Sequence, residues 1–291
     1  MKALVAFLMI AILGFTTACA PKRKSEEKPL LKAYRLIDDQ RTEEAIAYLE
    51  ELLEKEPDNT DYKVALASAY AHKAGVRMQT LAPVVSAAKD ANDLGEKLMA
   101  GLNALEGSDT KTIGTYIGDL IEANQRLLAV VGLIKAIPNV DGTGIQYIHQ
   151  GLTILDGISE IRPADAVYRA VLRIVQLKHD LVSNGFTETT AANALDATCV
   201  FDPTELRKVI SRQSQLLSKI VGDIAIAQPS EAKRLSEVQT KLVEKATELT
   251  SRLASSNLTN DDDPTTIEIK RALLNHGFGR LLKCGGEKND K

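Results

Sequence analysis

The sequence has no tryptophan, and aromatic residues of all kinds make up 4% of its 291 positions. Single-stranded nucleic acids and sugars lean on aromatic faces, so both ligand classes lose their usual platform here. The same scarcity argues against a β-rich fold. A basic excess is missing too. Lys and Arg number 36 against 39 Asp and Glu, a formal net charge of −3, so nothing draws the chain to nucleic acid. The four histidines, His72, His149, His179 and His276, stand singly, without HExxH or any other paired metal-ligand spacing. There is no GxSxG elbow, no GxxxxGK[ST] phosphate loop and no strand-linked GxGxxG, so the common hydrolase, nucleotide and dinucleotide routes lack their signatures. No cofactor is implied, and the expectation is a protein that is not an enzyme.

Cysteine is scarce as well, with Cys19, Cys199 and Cys284 the complete set and no CxxC among them. Cys19 follows Met1-Lys2 and the apolar run ALVAFLMIAILGF, a positive n-region and an h-region in secretory order. Thr16-Thr17-Ala18-Cys19 then resembles a bacterial lipobox, with Thr16 where that motif prefers leucine. The resemblance implies a signal peptide over residues 1–18, cleavage before Cys19, and acyl chains on its sulfur and new amino group. Several chains anchor firmly where one binds marginally, because each buried methylene contributes about 0.8 kcal/mol. Ala20 replaces the aspartate that commonly retains such proteins at the inner membrane, which leans toward the outer membrane, facing the periplasm. Two other readings fit the same residues: a bitopic anchor over Ala3 to Ala20, close to the lower limit of about 17–25 residues for a spanning helix, and an ordinary cleaved signal. PKRKSEEKP, between Pro21 and Pro29, is too polar to bury and reads as part of a tether over 19–29.

What the chain does hold is helix-forming residues, with Ala, Leu, Glu, Lys and Gln dominant, and the expected fold class is all-α. LLKAYRLIDD gives way at Gln40-Arg41 to TEEAIAYLEELLEKEP, where Thr42 is a candidate cap and Pro57 a stop. A further helix begins near Thr60. Ala33 and Ala67 lie 34 residues apart, as do Leu36 and Tyr70, and that is the period of the tetratricopeptide repeat. Ala33, Leu36, Ala45, Leu49, Leu52 and Pro57, with Leu66, Ala67 and Tyr70 opening a second copy, resemble one such repeat and the start of another. The same offset puts Pro83 inside the next expected helix, so the array breaks near Gln79. The organisation read from this is a helical hairpin over 30–78, a larger all-helical body over 79–285 and a tail over 286–291. A generic antiparallel helix pair is the plainer alternative for the hairpin.

Within the body, helices are expected over about 81–105, 109–136, 142–159, 163–183, 203–227, 230–255 and 264–283. Pro163, Pro203, Pro229 and Pro264 suit first turns, and Asp202 and Ser230 suit caps. Leu235, Val238, Leu242, Ala246, Leu249 and Leu253 form an apolar stripe on an otherwise polar helix, which belongs at the edge of the bundle. Gly114, Gly118, Gly132, Gly144, Gly151 and Gly157 each cost roughly 1 kcal/mol against alanine within a helix, so they serve close packing or leave room for a ligand or partner helix. DGTG, at Asp141 to Gly144, reads as a turn and helix start, and NDDDPTT, at Asn260 to Thr266, as a solvated connection rather than a site for a hard cation, since it lacks the alternating spacing and distal glutamate of a calcium loop. With Cys19 acylated, Cys199 and Cys284 are an even pair in a compartment that permits disulfides, and they are a candidate bridge or two unrelated thiols.

The leading functional expectation is an envelope lipoprotein that holds a protein or peptide partner on a repeat-like helical surface, its membrane contact made through acylated Cys19. A lipobox, a tetratricopeptide-like hairpin and an all-helical body are also similar in outline to the lipoproteins associated with TRAP-type transporters. That likeness implies ligand binding in support of transport, with its cavity among the glycine-bearing helices.

Overall fold

The fold is that of a computed structural model, which describes residues 27–77, 138–183, 199–255, 264–275 and 282–284. Helix α1 (Pro29–Asp38) starts on a proline, whose fixed φ suits a first turn, and buries Ala33, Leu36 and Ile37 at helical spacing. It closes in a Schellman motif. Gln40 takes a φ of 61°, its N–H donates to the Ile37 carbonyl at 3.0 Å, and the Arg41 N–H donates to the Leu36 carbonyl at 2.9 Å.

Helix α2 (Thr42–Lys55) has Glu43 and Glu44 in its first turn and Lys55 in its last, each favourable to the helix dipole. Thr42 does not cap it. The cap position is Arg41, and the Thr42 hydroxyl instead meets His72 Nδ1 at 3.0 Å, tying α2 to the next helix. That helix, α3 (Thr60–Lys73), is capped by Asn59, whose side chain accepts the Tyr62 N–H. A second Schellman motif ends it at Gly75, φ 81°, and delivers Val76 into the core at 3% exposure.

Helix α4 (Gly142–Asp156) begins where Asp141 accepts the Gly144 N–H at 2.6 Å. Helix α5 (Pro163–Ser183) follows, then strand β1 (Cys199–Phe201) and α6 (Pro203–Ala227), whose cap Asp202 accepts from Thr204 and Glu205. A 3₁₀ turn at Pro229–Glu231, containing Ser230, leads into α7 (Ala232–Ser255). Helix α8 (Pro264–Asn275) and strand β2 (Leu282–Cys284) complete the order. The last helix, described over Pro264–Asn275, does not run on to residue 283 as its pattern suggests, since Leu282 to Cys284 pair antiparallel with β1.

The fold is all-α with this one small ribbon, and its helices stack in sequence. Helix α2 packs on α1 and α3, α1 also touches α3, and α3 meets α4, α4 meets α5, α5 meets α6 and α6 meets α7. Helix α3 is the shared wall between two apolar clusters. Ala65, Leu66 and Ala69 join Ala33, Leu36, Ala45 and Leu49 on one side, while Ala67 and Ala71 join Ile148, Leu152, Leu155 and Leu172 on the other. Ala33, Ala45 and Ala67 are fully buried. Fully burying a leucine-sized side chain stabilises by about 1.5–3 kcal/mol, and these clusters hold several.

The α7 stripe is buried along its whole length, with Val238 at 0% and Leu249 at 1% exposure, and α6 is its main support. Gly151 explains how α3 and α4 approach. A Cβ there would lie 3.2 Å from the Ala67 carbonyl oxygen, so the glycine is a packing residue rather than the wall of a cavity. Gly144 behaves alike, its Cβ position meeting Val140 Cγ1 at 2.5 Å and the Ala74 carbonyl at 3.3 Å. The expected helices at 81–105 and 109–136 lie outside the described residues, as do Pro83, Gly114, Gly118 and Gly132.

Candidate functional site: a polar cleft between three helices

Helix α5 is buried nearly all round, so the charged residues it carries need partners within the protein. Arg169 and Arg173, one turn apart, both reach Asp223 of α6, which is 1% exposed. Arg169 donates to Asp223 Oδ1 from Nε at 2.9 Å and from Nη2 at 2.7 Å, and Arg173 Nη1 donates to Oδ2 at 2.5 Å. Other donors of the two guanidiniums are also used. Arg169 Nη1 reaches the Leu155 carbonyl at 3.1 Å, Arg173 Nη1 the Lys219 carbonyl at 3.0 Å, and Arg173 Nη2 the Asp156 carboxylate. Two cations therefore sit at the C-terminal end of α4, where the helix dipole favours them. Burial raises the Asp223 carboxyl above its ordinary range, against the pull of both arginines.

Above this network α4, α5 and α6 leave a cleft of about 350 Å³. His149, Thr153 and Asp156 line it from α4, Arg173 and Gln176 from α5, and Arg212, Gln215 and Lys219 from α6. The Gln176 amide nitrogen lies 2.9 Å from His149 Nε2, an arrangement that suits a neutral imidazole accepting the amide N–H. Burial, helped by Arg212, lowers the His149 pKa in the same sense, against the opposing charge of Asp180. Thr153 uses its hydroxyl on the His149 carbonyl, at 2.9 Å.

At the rim Arg212 binds Asp180 through two nitrogens, both at 2.8 Å, while its own side chain remains 57% exposed. Burial raises the Asp180 carboxyl, and Arg212 opposes the shift. Arg173, Arg212 and Lys219 are the cations of the lining, of which Arg173 is paired with Asp156 and Asp223 and Arg212 with Asp180. Arg212 and Gln215 also border a shallower recess of about 540 Å³ on the other side of α6, with Thr204, Arg207, Lys208, Ser211 and Thr250. The arrangement can hold a polar, anion-bearing group by hydrogen bonds and charge.

Among the repeat residues, Ala33, Leu36, Ala45, Leu49, Leu66 and Ala67 are buried, Leu52 and Tyr70 are half-buried, and Pro57 is exposed just beyond α2. Tyr70 stacks on Tyr147 of α4 and donates to Glu50 at 3.1 Å. The histidines remain apart in role: His72 binds Thr42, His149 Gln176, and His179 the Val140 carbonyl at 2.9 Å. Cys19, His276 and Asn260 to Asp263 lie outside the described residues. The backbone register sets Cys199 opposite Cys284.

The cleft residues escape a motif search because they come from three helices. A signal was present nonetheless: Arg169 and Arg173 interrupt the apolar run YRAVLRIV, and Asp223 interrupts IVGDIAI, and charges are almost never fully buried unless paired. Among the described residues no group of three or more His, Cys, Asp or Glu gathers to hold a metal ion, and no helix is long and apolar enough to cross a membrane. Comparison with known proteins yields no family model, no curated protein and no solved structure that matches the chain.

Proposed function

We propose that the protein is a non-enzymatic lipoprotein of the bacterial envelope that holds an acidic protein or peptide partner in the cleft between α4, α5 and α6. The observation that carries this reading is the lining itself, where exposed Lys219 and the half-exposed guanidinium of Arg212 stand with the amides of Gln176 and Gln215 around the opening. Two of the guanidiniums are held in place by Asp180 and Asp223, so little side-chain freedom is lost on binding. The one imidazole is bonded to an amide and the one threonine hydroxyl to a backbone carbonyl, which favours recognition over catalysis. The sequential helix stacking, with fully buried alanines at 33, 45 and 67, supports a repeat-like scaffold for such a surface. The transport-accessory reading looks for space beside the glycines, and Gly144 and Gly151 are filled by neighbouring atoms.

A photoreactive residue placed at Gln215 in cells should yield a discrete cross-linked species, while the same residue at exposed Glu237 of α7 should not. Arg212→Glu should abolish the Gln215 product. The same adduct from both positions, no adduct at Gln215, or one indifferent to charge reversal would reject the cleft as the binding surface.

A further inference from the structure

The ribbon of β1 and β2 is three residues long on each side, and such a short two-stranded pair is marginal without further support. Its register sets Cys199 opposite Cys284, Val200 opposite Lys283 and Phe201 opposite Leu282. Residues directly opposite in an antiparallel pair have Cα atoms about 5.5 Å apart when hydrogen-bonded and about 4.5 Å apart when not. A disulfide accepts about 4.4–6.8 Å, so either kind of pair is within its reach. Two of the chain's three cysteines, distant in sequence, therefore fall at one register position. We propose that Cys199 and Cys284 form an intramolecular disulfide that locks this ribbon, tying the strand ahead of α6 to the chain beyond α8.

The bond forms by exchange with a disulfide donor of the envelope, a dithiol–disulfide oxidant. One cysteine thiolate attacks the donor disulfide and expels a donor thiolate, leaving a mixed disulfide. The second thiolate attacks the chain's own sulfur in that mixed disulfide and expels the other donor thiolate. The two chain thiols lose two protons and two electrons, and the donor becomes a dithiol. The source of oxidant rests on the envelope reading, whereas the pairing rests on the register alone.

The test is made on the full chain, expressed with its own leader in bacteria, acid-trapped and alkylated before lysis. Mass spectrometry without reductant should find the Cys199 and Cys284 peptides linked. Reduction should lower the unfolding midpoint on the order of 10 °C, as expected for removing a long cross-linked loop from a chain of this size. Reoxidation of the reduced wild-type protein with oxidised glutathione supplies the second measurement. Free thiols in trapped cells that glutathione then links in the purified protein reject the bond in the cell and trace the failure to the compartment. Thiols that glutathione leaves unlinked, or that join two chains, reject the pairing itself.

Discussion

Gln40 occupies the left-handed region at φ 61°, at the position after the α1 cap where glycine usually ends a helix. Its side chain is exposed, and the turn is held by backbone bonds from Gln40 and Arg41 that a glycine would keep. The left-handed conformation costs a residue with a Cβ about 1–2 kcal/mol, partly offset by the greater freedom glycine has in the unfolded chain. Gln40→Gly should therefore stabilise the protein by about 0.5–1 kcal/mol, measured as a higher midpoint in urea at unchanged slope. An unchanged or lower midpoint would show that this turn is not held as described. Individual side chains were the scale least legible in the sequence. Thr42 reads as a cap because threonine favours that place, yet its hydroxyl is used by a histidine thirty residues on, a competitor that local spacing does not reveal.

Element starts were more legible than element ends. Pro163 and Pro203 each open a helix, and Asp141 and Asp202 cap as their side-chain chemistry suggests, because these signals act within one turn. The end of α8 was misread since LLKC continues an apolar helical pattern, and a three-residue strand is too short to show an alternation of its own. What the glycines of α4 do could be settled only by its neighbours. Gly151 faces the Ala67 carbonyl, and a Cβ at Gly142 meets nothing within 4 Å. Gly151→Val should force α3 and α4 apart and cost about 1–3 kcal/mol. Gly142→Ala, on the same helix at an open site, should be neutral to stabilising by up to about 1 kcal/mol. Equal effects of the two changes in a denaturant titration would remove the close approach as the reason for Gly151.

At the scale of the whole molecule, an all-α composition was plain from the scarcity of aromatics and the abundance of helix formers, but the order of packing was not. The break in the 34-residue pattern reads as the end of an array, yet α4 packs directly on α3, and sequence periodicity cannot register contacts between segments so far apart in the chain. The proposed membrane anchor depends on the same separation of sequence from space. The sequence over 19–29 reads as a polar tether, although Pro29 already opens α1, and a flexible chain of that length would span about 20 Å, enough to hold α1 close to a membrane without packing against it. Folding and attachment should then be independent. Cys19→Ser should abolish incorporation of labelled palmitate and move the protein out of the detergent fraction, while leaving its helical circular dichroism and urea midpoint unchanged. A variant that loses both attachment and stability would join the tether to the fold. Wild-type protein that takes up no label, or a Cys19→Ser protein still bound to membranes, would overturn acylation at Cys19 as the means of attachment.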